Sequence, residues 1–244
     1  MSIQMMLLGL GAVATKTYVD DVFSTYVFKG NGSTGQTINN GINLSGEGGL
    51  VWNKDRENAY DHVLWDTARG DDDVLSSNAS DSQAGQGNSI TYNSNGYTLN
   101  GGQGNENNQK TTSWTFRKAP GFFTCLTYSG SGSARTISHD LGCVPGVIII
   151  KRTDSISDWI VYHRSIGPEK VLFLNENETQ YDNDTYFNDT APTSSVFSLK
   201  DSTTVNASGG TYVAYLFAGG ESTDALARSV DFDGSGDYLV TNTS

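Results

Sequence analysis

His62, His139 and His163 are the three imidazoles of the sequence, and carboxylates stand close to two of them. Asp61 and Asp66 flank His62, and Asp158 precedes His163. A hydrolytic dyad needs a base oriented by a carboxylate and aimed at a nucleophile. Neither a GxSxG elbow nor an HExxH motif accompanies these groups. His62 and His163 lie at near-equivalent places of an internal repeat, in or beside β-forming stretches, where a structural hydrogen bond is the commoner use. Among the carboxylates nothing selects the spaced pair that glycoside cleavage requires. The reading is of a protein without enzyme activity and without a cofactor.

Metal chemistry is equally thin. Cys125 and Cys143 have no CxxC spacing and no nearby histidine, so they do not form a zinc site or a disulfide framework. Buried thiols are expected instead. Asp71, Asp72 and Asp73 are adjacent, so on a strand they cannot all face one ion, and a solvated turn is the reading. Asp231, Asp233, Ser235 and Asp237 alternate like the start of a calcium loop, with Gly236 at position six. Position twelve is Asn242 where that loop carries Glu, which favours a glycine-containing hairpin over a calcium site. Trp52, Trp65, Trp114 and Trp159 could stack on sugars, but at strand positions core packing is the commoner role.

The elements that must position these groups are strands. The chain has 28 glycines and 4 prolines, with abundant Asn, Ser and Thr, a mix that suits short strands joined by tight turns. A formal net charge of −12 argues against a nucleic-acid partner and against anionic membrane surfaces. It suits solubility.

A duplication with a period of roughly 100 residues organises the chain. Residues 27–33 return as 127–133, and Thr37-Ile38 as Thr136-Ile137. Gly49-Leu50-Val51-Trp52-Asn53-Lys54 matches Gly146-Val147-Ile148-Ile149-Ile150-Lys151. Residues 61–65 match 158–162, Tyr97-Thr98-Leu99 matches Phe197-Ser198-Leu199, and residues 113–116 match 214–217. Runs such as Val147-Ile148-Ile149-Ile150 and Trp159-Ile160-Val161-Tyr162 read as buried strands, spaced as in antiparallel sandwiches. The fold class is therefore all-β: two tandem duplicated antiparallel β-sandwich domains, residues 25–118 and 123–219. They are preceded by an extended or short helical N-terminal arm, residues 1–24, and joined by a linker at 119–122. Phe122 and Phe123 are expected to pin the two domains into a rigid pair. Residues 101–109 are polar and low in complexity, which predicts an exposed loop that is mobile at its tip. Residues 222–228 read as a short helix, and 229–240 as strand, turn, strand, so that 220–244 opens a third β domain or a C-terminal extension.

The arm carries Met5, Met6, Leu7, Leu8 and Leu10 in one apolar run. No positive n-region precedes it, and it is too short to span a bilayer. A greasy segment of this size has a protein partner rather than a membrane role. Membrane insertion is not expected.

With the repeat laid out, a resemblance becomes visible. Residues 16–25, Asn58-Ala59-Tyr60-Asp61-His62, residues 116–123, Ile149-Ile150-Lys151-Arg152-Thr153-Asp154, residues 186–193 and residues 205–215 resemble tail and fibre proteins of marine bacteriophages, cyanophages above all. Phe232-Asp233-Gly234-Ser235-Gly236-Asp237-Tyr238-Leu239 resembles the first strands of concanavalin-like, LamG-type domains. The resemblance implies a virion structural protein, the proximal part of a tail fibre that supports host attachment. Met5, Met6, Leu7, Leu8, Leu10, Tyr18, Val19 and Phe23 would then dock onto an adaptor- or nozzle-type tail protein. Sister subunits in a homotrimer, and a host surface glycan, are the further partners it implies. A carbohydrate-binding receptor-recognition module and a capsid decoration protein are the alternatives.

Overall fold

The computed structural model describes residues 18–220 apart from Gln86, Asn88 and Gly102. Met5, Met6, Leu7, Leu8 and Leu10, the calcium-like run at 231–242 and the elements expected after residue 220 lie outside the described residues. Within them the chain is built from strands, and the helices are single turns.

The first repeat runs α1 (Val19–Val22), β1 (Phe23–Lys29), β2 (Gln36–Asn39), α2 (Leu44–Glu47), β3 (Gly49–Asp55), β4 (Val63–Asp66), β5 (Asp73–Ser76), β6 (Ala84–Gly85), β7 (Ile90–Asn93), β8 (Gly96–Leu99) and β9 (Lys110–Arg117). The second runs β10 (Phe123–Ser129), β11 (Arg135–Ser138), β12 (Pro145–Arg152), β13 (Ile160–His163), β14 (Lys170–Phe173), β15 (Tyr181–Asp182), β16 (Val196–Leu199), α3 (Thr203–Asn206) and β17 (Thr211–Ala218). The large sheets have the orders β1-β9-β3-β4-β5-β6 and β10-β17-β12-β13-β14-β15. Position by position these are the same topology, so the duplication read from the sequence is a duplication of fold. The small sheets differ by one strand, β2-β8-β7 against β11-β16. The first sandwich begins at Phe23, two residues before its expected start.

Pairing registers fix the equivalences. Trp52 lies opposite Trp114 and Leu64, as Ile149 lies opposite Tyr215 and Val161. Because side chains alternate across a strand, each large sheet has two faces. One face packs on the small sheet of its own repeat. Val51, Trp65, Tyr97 and Leu99 fill that core in the first repeat, and Ile148, Ile150, Tyr162 and Phe197 fill it in the second. The other face carries Leu50, Leu64 and Leu75 in the first repeat and Ile149, Trp159, Val161, Val213 and Tyr215 in the second. These residues share a third core. The result is four β layers, small-large-large-small, with the two repeats back to back.

The two phenylalanines of the linker region behave as expected and belong to a larger cluster. Phe116 lies 4.8 Å from Phe23, 5.7 Å from Phe123, 5.3 Å from Phe217 and 6.4 Å from Phe122 between ring centroids.

The expectation of an exposed loop at 101–109 holds for Asn107 and Asn108 and is corrected at Gly104 and Asn105, which are buried. Asn105 is fully buried. Its Nδ2 donates to the Ser33 carbonyl at 2.9 Å, its Oδ1 accepts Asn31 N–H at 3.1 Å, and its carbonyl accepts Gly32 N–H at 2.9 Å. Asn206 does the same for Ser133, Ser131 and Gly132 at 2.7, 2.9 and 2.7 Å. The backbone passes so close that a Cβ on Gly30 would stand 2.2 Å from the Glu106 carbonyl, and one on Gly130 2.0 Å from that of Ala207. A polar residue, Asn105, is buried here because its side-chain amide and its carbonyl both find partners, which composition does not reveal.

Candidate functional site: an open aromatic face on the first repeat

Repeat 2 covers only part of the face that repeat 1 offers it. On the β1–β9–β3 side, Trp52 and Trp114 are half-exposed and meet edge to face, with ring centroids 6.1 Å apart at 72°. With Lys54, His62 and Phe116 they line an open depression of about 340 Å³. Strand alternation puts Trp52 and Lys54 of β3 on this face, and Trp114 and Phe116 of β9 beside them. The Trp52 Nε1 atom is buried without a hydrogen-bond partner. His62 sits at the entry to β4, its backbone N–H donating to Asn78 Oδ1 at 2.8 Å. Burial, and then the nearby Lys54 ammonium, hold its imidazole below the ordinary histidine range, so it is neutral at pH 7.

The equivalent positions in repeat 2 are sealed. Trp159 stands where His62 does and is fully buried, its Nε1 donating to the Ser76 and Ala79 carbonyls at 3.0 and 3.1 Å. Lys151, the equivalent of Lys54, is fully buried, and its ammonium donates to the carbonyls of Ser80, Arg152 and Ser157 at 3.1, 2.9 and 2.8 Å. Burial lowers its pKa to about 8, against the pull of Asp158 and Asp81. Tyr215, the equivalent of Trp114, donates to Asp66 Oδ2 at 2.7 Å, and that carboxylate also takes Arg69 Nε at 2.6 Å. Burial alone would lower the Arg69 pKa, but Asp66 more than offsets it and the guanidinium is held above its usual range. Main-chain bonds complete the seam: Ser157 N–H to the Ser80 carbonyl at 2.8 Å, and Gln83 N–H to the Thr153 carbonyl at 2.9 Å.

The residues singled out for chemistry are scattered. His62 and His163 occupy opposite ends of equivalent strands. His62 matches Trp159, and His163 matches Asp66. Cys125, His139 and Asp140 do line one hollow, with Lys118. Burial pushes the Cys125 thiol up to about 12, so no thiolate is present at neutral pH. Both ring nitrogens of His139 face the main chain, at the Thr193 carbonyl and the Leu141 N–H. Cys143 is half-buried rather than buried, and the two cysteines are not bridged. Trp65 and Trp159 are core as expected, whereas Trp52 packs half-buried against the margin of the third core and Trp114 is half-buried beside it. Among the described residues no group of three or more His, Cys, Asp or Glu side chains could hold a metal ion, and no helix is long and apolar enough to cross a membrane.

Of the docking residues inside the described region, Tyr18 and Val19 are 60% and 70% exposed. Phe23 belongs to β1, half-buried against Phe116, so it serves the sheet as well as any docking role. Sequence reasoning missed the buried Asp66–Arg69–Tyr215 group, the Lys151 cage and the two asparagine clips. Only the Lys54–Lys151 match gave a signal, and it could not say which lysine is caged.

No curated protein and no solved structure matches the chain. One family profile does, over residues 19–227, a span that takes in both repeats. The chain thus belongs to the family described as the domain of unknown function DUF7483.

Proposed function

We propose that this chain is a non-enzymatic virion structural protein, the proximal part of a phage tail fibre that supports host attachment. Residues 1–24 dock onto a tail protein of adaptor or nozzle type, and sister subunits assemble around them as a homotrimer. The observation that carries the reading is the back-to-back union of the repeats. A shared apolar core, a phenylalanine cluster and buried polar groups join them into one body, as the shoulder of a fibre requires. The resemblance of residues 16–25, 116–123 and 205–215 to phage tail and fibre proteins supplies the setting. The test is immunogold labelling of intact particles with antibodies raised against residues 25–219. Gold on appendages around the tail supports the proposal, and gold over the head replaces it with a capsid decoration protein.

A second reading has its own observation. The Trp52–Trp114 pair with Lys54 is an open aromatic shelf of the kind that stacks on a pyranose ring. Saturable binding of host lipopolysaccharide, lost in Trp114→Ala, would favour a carbohydrate-binding module.

A further inference from the structure

The two repeats do not meet symmetrically. Repeat 1 gives its β4–β5 side and the segment after it, residues 76–83, while repeat 2 gives the centre of its large sheet. Such a contact is heterologous, and part of each of its halves stays open. Repeat 1 has a partly open sheet centre, Trp52, Trp114, Lys54 and His62, with Trp52 resting on the margin of the shared core. Repeat 2 has a partly open edge: Leu172 is half-buried against the shared core, while Leu174 and residues 176–180 are exposed. A heterologous contact that can be made again between molecules generates a ring or a filament.

We infer that the open face of repeat 1 is covered by the residue 172–180 edge of repeat 2 from a second copy of this chain, head to tail, in the geometry that already joins the repeats within one chain. This deepens the proposed self-association, but does not depend on the tail being the place where it occurs.

The local structure is equivalent on both edges. Asn78 Oδ1 accepts His62 N–H and its Nδ2 reaches Asp61. Asn175 Oδ1 accepts Trp159 N–H and its Nδ2 reaches Asp158, with all four distances 2.8 or 2.9 Å. Residues 176–180 therefore leave β14 as residues 79–83 leave β5. The register then transfers each contact. The Ser157–Ser80 main-chain bond becomes Tyr60 N–H to the Asn177 carbonyl, and Gln83–Thr153 becomes Gln180 N–H to the Arg56 carbonyl. Lys54, the open equivalent of Lys151, faces the Asn177 carbonyl. Charge agrees as well. Lys54 and Arg56 stand at the rim of the open face, where Glu57 is already paired with Lys110 at 2.7 Å, and the incoming edge carries Glu176 and Glu178.

The experiment mixes two full-length variants, Tyr60→Cys and Asn177→Cys, under mild oxidation. Residues joined by a main-chain hydrogen bond stand within disulfide reach. The expected result is a covalent dimer in the mixture and in neither variant alone. Absence of the mixed product, or a disulfide within one variant alone, overturns the head-to-tail geometry. Independently, sedimentation of Lys54→Glu should show at least a tenfold weaker association with an unchanged unfolding midpoint, restored by Glu176→Lys with Glu178→Lys. A wild-type chain that sediments as a monomer at every concentration overturns the inference, and leaves tail placement to the gold labelling.

Discussion

The outward faces of the two large sheets descend from one ancestral surface, and they have reached opposite states. In repeat 2 the positions of Ile149, Lys151, Trp159 and Tyr215 are buried by the neighbouring repeat. In repeat 1 the same positions, Trp52, Lys54, His62 and Trp114, remain partly open. The inward faces differ in another way. In repeat 1 the Tyr97 hydroxyl bonds with Ser113 Oγ at 2.8 Å and lies 3.2 Å from Asn53 Oδ1, which can only accept, and all three residues are buried. At the matching positions repeat 2 has Phe197, Ala214 and Ile150, with no polar atom among them. A buried hydroxyl needs partners, and a phenyl ring needs only volume, so the polar trio of repeat 1 and the apolar trio of repeat 2 are each self-consistent. After duplication each core stayed internally consistent, while the shared outer surface was free to diverge wherever covering was unequal.

The sharpest way to break this comparison is to truncate equivalent positions. Trp159→Ala removes a fully buried ring and two hydrogen bonds, and should lower unfolding free energy by about 3–5 kcal/mol. His62→Ala at the equivalent position should stay within about 0.5 kcal/mol in the same denaturant titration. Equal losses would mean that the faces are covered alike.

The asparagine clips predict the opposite pattern, a symmetric one. Asn105→Ala and Asn206→Ala should each cost about 1–3 kcal/mol, because each removes a fully buried amide together with its hydrogen bonds to the facing loop. A loss confined to one repeat would show that the clips are not equivalent.

Tyr97→Phe should cost about 1–2 kcal/mol by stranding Asn53 and Ser113. Adding Asn53→Ile and Ser113→Ala, the repeat 2 solution, should recover most of it in thermal melts. Failure of the triple variant to recover would separate the two cores further than the alignment suggests.

The last effect is a slope in pH, smallest when taken per pH unit. Lys151 has a folded pKa lowered to about 8 from an ordinary 10.5, so between those values the unfolded chain binds more protons and stability rises with pH. Relative to Lys151→Met, the wild type should gain up to about 1 kcal/mol per pH unit in that window. A flat Lys151 comparison would mean that its ammonium is not penalised by burial.

Much of the architecture was legible because it depends on local pattern. β-branched runs between glycine and asparagine turns specify strands, and a recurrence of Gly49–Lys54 as Gly146–Lys151 specifies that they recur in one order. The candidate site was legible only as residue types. Trp52, Trp114, Trp65 and Trp159 look alike in a strand pattern, and period-two alternation says which share a face but not what lies over that face. The polar stretch around Asn105 reads as solvent-exposed for the same reason, since its partners, Asn31 and Ser33, lie more than seventy residues away in the chain.

The sequence alone determined the duplication, the strands and their alternation, all of which follow from neighbours and composition. The tertiary structure decided which copy of a shared surface is sealed, which lysine sits among three carbonyls and which tryptophans stay open. Those outcomes depend on how two finished sheets are offset against each other, and an offset between sheets is set by the fit of whole faces, to which no single segment of sequence holds the key.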